Sequence, residues 1–476
     1  MEKVNRILET IFSILTQSIE AFIDFLSELF PEKRKTEFNA DFVSPESILR
    51  RNGKGFCLNG KLCMTVEESF RNCLVLGGTG SGKSSIVLIC SALKMALGNS
   101  SLIFHDVSHE LRILLSGFLR SSGFEIKILN YNHLKSECFN PLLRCKSISD
   151  IQKLASSLIR NSIGESSHDK FWNISAESLL SLFIRYLIFY ADEKYHTLYN
   201  LLHLINVFAG SPETIDALIV KTGDEKLLSE YKAFVAYGDK TLMSIVATAK
   251  SALSLYSDET VAMITSMDTI DFNEFRTRKI ALFINNSVPD MHYYGRLSSL
   301  FFQQFFNYVL NSKPKQTDNN IYLLLDEASS MFLPSLSNII SNIRKYNSGI
   351  MLVYQDAHQI DNIYGSYEAK NITANCYAKV YLPGQPIETC KMLEATLGKF
   401  EYEDEEEVKH IRNLMSADEI RMSDRAIILL GNKPPIHSKL YPYYEDRKLK
   451  TLTEYPPVSP SNNLPFDSPP LLPISK

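Results

Sequence analysis

Residues 73–85 read Cys-Leu-Val-Leu-Gly-Gly-Thr-Gly-Ser-Gly-Lys-Ser-Ser. An apolar run, a glycine-rich turn, then Lys83 and Ser84 fit the phosphate-loop pattern Gly77-x4-Gly82-Lys83-Ser84. The apolar run suits a buried strand, and 85–97 has the pattern of a helix. A glycine-rich turn alone matches this pattern by chance, and the flanking strand and helix are what set this one apart. Glycines let successive backbone N–H groups turn inward around phosphate oxygens. The helix N-terminus adds the positive end of its dipole. Lys83 is expected to reach the β- and γ-phosphates, and the Ser84 hydroxyl to bind Mg²⁺. The nucleotide contacts are thus expected from Gly77, Gly78, Thr79, Gly80, Ser81, Gly82, Lys83, Ser84 and Ser85.

A second stretch completes the chemistry. Residues 321–327 read Ile-Tyr-Leu-Leu-Leu-Asp-Glu, an apolar strand ending in two acids. By itself this is a common strand-to-turn pattern. Beside a phosphate loop it is the Walker B arrangement: Asp326 to hold Mg²⁺, directly or through water, and Glu327 to orient or deprotonate the attacking water. Together the two stretches imply a nucleoside triphosphate hydrolase that uses Mg²⁺. Gln355, after the apolar run 350–354, is placed to sense the γ-phosphate or that water, though a loop-entry glutamine reads the same way. Arg344 is a candidate to stabilise transition-state charge on a neighbouring subunit, against the alternative of a solvated basic helix end.

Outward from these stretches, the fold class is α/β with a mainly parallel sheet. Strand candidates lie at 73–76, 102–104, 126–129, 280–284, 321–325, 350–354, 378–382 and 426–430. Continuous apolar runs of this length suit strands buried on both faces. About 150 residues between 129 and 280 carry helical patterns instead, at 151–160, 176–189, 198–208, 212–220, 227–234 and 242–255. The expected organisation is an amphipathic helix and linker (1–36), a P-loop core in two parts (37–147 and 273–450) split by an all-α insertion (148–272), and a proline-rich tail (451–476). The acidic run 401–407 reads as a solvated loop or helix face. The tail, with seven prolines, reads as extended or disordered.

Composition bounds the function. The chain has 476 residues, 45% hydrophobic and 22% charged, an ordinary globular balance. A formal net charge of -4 excludes a globally basic nucleic-acid coat but leaves room for a basic channel. Eight cysteines without Cys-x-x-Cys spacing argue against a zinc site or a disulfide scaffold, and for a reducing compartment. Residues 4–29 have helical apolar spacing broken by charges. The longest uncharged run, 10–19, is too short to span a bilayer, so no transmembrane helix is expected. Packing on the body or on another subunit, or lying on a membrane surface, are the two readings of this stretch.

These segments, in order, resemble the type IV secretion coupling proteins, the conjugative DNA-transfer ATPases. Gly78-Thr79-Gly80-Ser81-Gly82-Lys83 looks like their P-loop. His105-Asp106-Val107-Ser108-His109-Glu110-Leu111 is similar to their Asp-Pro-Lys-Gly-Glu-Leu segment, with Val107, Ser108 and His109 replacing its middle. Phe139-Asn140-Pro141-Leu142, Phe171-Trp172 with Ala176 and Leu179-Leu180, and Leu325-Asp326-Glu327 follow. Arg344, then Gln355, Gln359 and Tyr364-Gly365, resembles a further segment in which Asp356 replaces the usual Ser. Pro434-Pro435-Ile436 resembles the end of their core.

The resemblance covers about 40–445. It implies a RecA-like core carrying an all-α domain, and a homo-hexameric ring around a channel. It implies ATP-driven movement of single-stranded DNA with bound relaxase, or of secreted protein, into a type IV secretion channel. It also implies a trans role for Arg344. Typical members carry two N-terminal transmembrane helices, which this chain is not expected to have. The expected location is cytoplasmic, docked at the inner membrane of a bacterium, with residues 1–30 as a possible peripheral contact. Besides a monomeric nucleotide switch, in which Arg344 would have no trans role, two alternatives stand beside this reading. One is a related motor, either a hexameric double-stranded DNA translocase or a secretion-channel assembly ATPase. The other is a substrate-docking protein that uses ATP only to assemble its ring.

Overall fold

A computed structural model describes residues 38–163, 170–406, 408–461 and 468–474. The amphipathic stretch 1–30 and the charged linker that follows lie outside the described residues. The centre of the molecule is a nine-stranded sheet in the order β11-β10-β7-β1-β6-β5-β2-β4-β3. Its strands are β1 (Cys73–Leu76), β2 (Ser100–Asp106), β3 (Glu125–Asn130), β4 (Ile280–Asn285), β5 (Asn320–Leu325), β6 (Ser348–Tyr354), β7 (Ala378–Tyr381), β10 (Ala426–Leu430) and β11 (Ile436–Ser438). The strands from β7 to β3 pair in parallel, whereas β10 and β11 add an antiparallel edge. The fold is the mainly parallel, RecA-like P-loop α/β fold expected from the sequence.

Alternate residues of one strand feed opposite faces. In β1, Leu74 and Leu76 join one buried cluster, and Cys73 and Val75 join the other. That period-2 division across a sheet covered on both sides is why these strands read as unbroken apolar runs. All eight apolar runs singled out above are strands. The ninth, β11, has three residues and carried no signal of its own.

β3 and β4 are neighbours in register, Glu125 opposite Ile280, yet 149 positions separate Asn130 from Lys279. A parallel pair needs a crossover, and here its described residues hold helices joined by turns and coil, with no strand among them. Its main helices are Ile148–Ile163, Lys170–Tyr190, Leu198–Gly210, Pro212–Lys221, Glu225–Val235, Asp239–Leu253 and Glu259–Ile264. Local chemistry sets their ends. The Thr197, Asp224 and Asp258 side chains accept backbone N–H groups of the next helix, and Pro212 opens another. The helical segment shares one hydrophobic cluster with the sheet. At the seam Phe139 stands edge-on to Phe301 at 5.0 Å, and Phe272 to Phe305 at 5.0 Å. Arg144 pairs with Asp268 at 2.7 Å and lies 3.6 Å over the Phe272 ring.

Two segments differ from expectation. The acidic run is neither a single loop nor a helix face: 401–403 end strand β8 (Lys399–Glu403), while 404–406 form the turn that leads to β9 (Lys409–Asn413), so the loop expectation holds for that half alone. Its acids meet bases from the partner side, Glu401 with Lys409 at 2.7 Å and Asp404 with His410 at 2.6 Å. The opposite charges of Glu401 and Lys409 across the strand pair stabilise what the acidic run alone opposes. The proline-rich tail begins inside a helix, Arg447–Thr453, capped by Asp446. Its later described residues lie extended against the body.

Candidate nucleotide site

The phosphate loop leaves β1 at the carboxyl end of the parallel sheet. Gly77 N donates to Tyr354 O of β6 at 3.2 Å, which sets the loop beside β6. Gly80 (φ 79°) and Gly82 (φ 91°) hold backbone angles that L side chains rarely adopt. A Cβ added at Gly78 or Gly80 would meet nothing within 4 Å, so this side of the loop is open to a ligand. The helix then starts with a π turn, Lys83–Leu88, before Ile89–Met95. Lys83 Nζ donates to Gly77 O (2.7 Å) and Gly78 O (3.0 Å). Its charge thus sits on the loop's own carbonyls, where a phosphate can replace them as acceptor. Thr79, Ser84 and Ser85 lie on the same loop and first turn. The Ser81 hydroxyl is buried without a partner there.

Buried Gln385, which the sequence reading did not single out, locks the base of the loop. Its Nε2 donates to Leu76 O (2.9 Å) and Leu382 O (2.7 Å), joining the ends of β1 and β7.

β5 delivers the acids one strand beyond β6. Asp326 N donates to His105 O at 3.1 Å, and His105 Nδ1 lies 2.8 Å from Asp326 O. A carbonyl can only accept, so the imidazole proton is on Nδ1, and burial pulls the ring's pKa down to about 4. Glu327 has φ 48°, an unusual left-handed backbone for a long side chain. That turn aims its carboxylate back toward β6. Gln355 Nε2 donates to Glu327 Oε1 at 3.0 Å, and Ser329 Oγ donates to the same oxygen at 3.0 Å. Gln355 is itself held, its N donating to Gln359 Oε1 at 2.9 Å. Asp356 caps the Ala357–Asn375 helix by accepting from Gln359 N at 3.1 Å. Asp and Ser both cap well, which explains why Asp can stand where the resembling family has Ser.

Asp106, at the end of β2, belongs to the site and was not among the expected site residues. Its carboxylate accepts from Leu111 N (3.2 Å), Arg112 N (2.8 Å) and Asn285 Nδ2 (3.0 Å). Burial pushes its pKa up to about 6. Burial, then the charges of Asp106 and Glu327, push Asp326 up to about 7. Two buried carboxyls thus share a pocket, and the cations near them, Lys83 for Asp326 and Arg112 for Asp106, only partly offset their burial. Such a pocket is short of positive charge and fits a divalent cation. Among the described residues no group of three or more His, Cys, Asp or Glu forms a complete metal cage. Mg²⁺ is commonly held by one or two carboxylates plus phosphate oxygens and water, and these residues fit that pattern. The signal for Asp106 was an apolar strand ending in Asp, the same signal that marked Asp326.

The structure therefore brings together the P-loop, Asp326, Glu327 and Gln355. It does not bring Arg344 to them. Arg344 is exposed on the turn Ile343–Tyr346, before the amino end of β6, whereas Gln355 follows its carboxyl end. Seven residues of strand put the two about 23 Å apart.

Comparison with known proteins agrees with this geometry. The family described as "Type IV secretory system Conjugative DNA transfer" matches residues 26–463. Protein VirD4 of Rhizobium radiobacter is 22% identical over 419 residues, covering 80% of this chain and 58% of its own length. The chain thus spans little more than half of that relative. Among solved structures, the bacterial conjugative coupling protein TrwBdeltaN70 in complex with sulphate matches with a TM-score of 0.70 and 19% identity, covering 90% of this chain and 97% of its own. The plasmid coupling protein TrwB in complex with ADP and Mg²⁺ matches with a TM-score of 0.68 and 18% identity, covering 90% and 99%. Among the described residues no helix is long and apolar enough to cross a membrane.

Proposed function

Because the chain belongs to the type IV secretory system conjugative DNA transfer family, we propose that it is an ATP-hydrolysing coupling motor. It recruits single-stranded DNA with bound relaxase, or a protein substrate, and drives it into a type IV secretion channel. The observation that carries the motor reading is the 3.0 Å hydrogen bond from Gln355 to Glu327. It ties the strand beside the P-loop to the acid that handles water, so the state of the γ-phosphate and the position of that acid are mechanically linked.

In this reading the Gly77–Gly82 amides and Lys83 bind the phosphates, with Thr79, Ser81 and Ser85 lining the same loop. Ser84 and Asp326 would hold Mg²⁺, which when bound would supply positive charge to the phosphates. Glu327 takes the proton of the attacking water, oriented by Gln355 and Ser329. Arg344, on the far end of the sheet from its own P-loop, acts on the nucleotide of the next subunit in a homo-hexameric ring. Residues 1–30 and type IV channel components dock the ring at the cytoplasmic face of a bacterial inner membrane.

Steady-state ATP hydrolysis tests the motor. Lys83→Ala and Glu327→Gln should each lose turnover while circular dichroism is unchanged; near-wild-type rates in either would refute it. A strand-displacement or translocation assay comparing single- with double-stranded DNA then tests the substrate. Preference for the duplex would favour a septal-type translocase instead. Full substrate recruitment by Lys83→Ala, without movement, would favour a docking protein.

A further inference from the structure

The proline-rich segment is gripped twice, each time through its main chain. On the core, Val458 N donates to Ser116 Oγ at 2.8 Å, and Arg112 Nη1 donates to Val458 O at 2.8 Å. Arg112 and Ser116 are one turn apart on the Glu110–Ser121 helix, so one helix face satisfies both backbone groups of one residue, as a neighbouring strand does. The helix is notched for this contact. A Cβ at Gly117 would collide with Pro456 O and lie 2.8 Å from Tyr455 Cβ. A glycine inside a helix costs about 1 kcal/mol relative to alanine, and here it makes room for the segment. The Tyr455 ring stands edge-on to Phe118.

The second grip is on the all-α segment. Asn200, fully buried on the Leu198–Gly210 helix, donates from Nδ2 to Pro470 O at 3.0 Å and accepts from Leu472 N at 2.8 Å. Its remaining amide hydrogen goes to Thr197 Oγ1 at 3.0 Å. Pro469 and Leu472 are buried while Pro470, Leu471 and Pro473 are exposed. That three-residue spacing is the period of a polyproline II helix. Leu472, 6% exposed, enters the main hydrophobic cluster. A buried amide that is fully bonded only when an extended chain lies against it is a built recognition site.

We propose that the Leu198–Gly210 helix forms a groove for an extended, proline-flanked leucine peptide, and that residues 468–474 of this chain are its resident occupant. With the Arg112–Ser116 grip the segment forms a strap tying the all-α segment to the core. Arg112 joins the strap to the acid pocket: its backbone N holds Asp106 at 2.8 Å while its guanidinium holds Val458. The strap goes beyond the motor reading and does not depend on hydrolysis.

Hydrogen exchange read by mass spectrometry on the full chain tests it, without nucleotide. Leu472→Asp should speed exchange in the Leu198–Gly210 helix about tenfold or more, with circular dichroism unchanged. An excess of the peptide Ser-Pro-Pro-Leu-Leu-Pro-Ile should restore slow exchange in that variant and leave the wild type unaffected. Gly117→Leu, which blocks only the core grip, should also speed exchange at Leu471 and Leu472, because a released strap loses effective concentration. Wild-type exchange in Leu472→Asp would overturn the occupied groove. Equal protection of wild type by the peptide would show an open groove awaiting another occupant. An unchanged Leu472 signal in Gly117→Leu would show two independent contacts and no strap.

Discussion

Glu327 and Gln355 form one unit, and a substitution at either is felt by both. Removing the Gln355 amide leaves Glu327 with Ser329 alone as an orienting donor. Gln355→Ala should lower kcat by about 10–100-fold, the usual cost of losing an orienting contact behind a reacting group, with the KM for ATP little changed. Gln355→Glu sets a like charge against Glu327 and should be worse; a variant as active as wild type would remove Gln355 from the mechanism. Asp326 carries a pH prediction. Its pKa is raised in the folded chain, from 3.8 to about 7, so the folded state binds the proton more tightly than the unfolded state. That contribution is fully present below pH 3.8 and is lost as pH rises through about 7. Ionised Asp326 therefore burdens the nucleotide-free fold at pH 7.5. Asp326→Asn should raise Tm by several degrees at pH 7.5 and by much less at pH 4.5, while abolishing hydrolysis. His105 acts with the opposite sign. Its lowered pKa of about 4 makes protonation of the unfolded chain destabilise the fold as pH falls below 6.5. A melting series in pH with Mg²⁺–nucleotide added should show the largest ligand-induced stabilisation at the alkaline end.

At the scale of elements, the loop after β5 depends on its neighbours. The Met291–Asn311 helix passes so close that a Cβ at Gly295 would collide with Ser330 O. From the other side Tyr364 Oη accepts from Leu333 N at 3.1 Å. Gly295→Ala improves helix propensity by about 1 kcal/mol, yet should destabilise the chain by about 1–3 kcal/mol through overpacking. Urea unfolding measures the sign, and the same variant should hydrolyse ATP more slowly because Glu327 is three residues from the clash. A stabilised, fully active Gly295→Ala would show that the loop yields without moving the acid. The elements differed greatly in how legible they were. β1, β5 and β6 declare themselves because both faces are buried, so their apolar runs are unbroken. The hairpin β8–β9 hid behind an acidic run because its bases lie on the return strand. The seat of the proline-rich segment was invisible because Asn200, Arg112 and Ser116 bind main chain, which carries no side-chain signature.

For the whole molecule, the placement of Arg344 makes the proposed ring testable. Its turn precedes β6, and the P-loop lies beyond the strand's other end, so within one chain the two cannot meet without breaking the sheet. If Arg344 serves the next subunit, Arg344→Ala alone should hydrolyse slowly while binding nucleotide normally. Mixing Arg344→Ala with Lys83→Ala subunits should then yield more activity than the sum of the two alone, since some interfaces regain an intact P-loop facing an intact arginine. Native mass measurement with an ATP analogue and single-stranded DNA should show hexamers. No recovery on mixing, with mixed assemblies confirmed by mass, would remove the trans role.

By itself the sequence determined the strands, the phosphate loop and the Asp326–Glu327 pair, because burial on both faces and phosphate chemistry each constrain contiguous residues. It also marked the helical crossover, through 3.6-residue periodicity where strand signal stops. Only the tertiary structure decided that Asp106 shares a pocket with Asp326, since 220 positions separate them and nothing local couples two strand-ending acids. It alone placed Gln355 against Glu327 and Arg344 away from both, because strand order (β1-β6-β5-β2) is a property of the sheet. Electrostatic coupling and main-chain recognition act through space over a few ångströms, and chain distance does not report them.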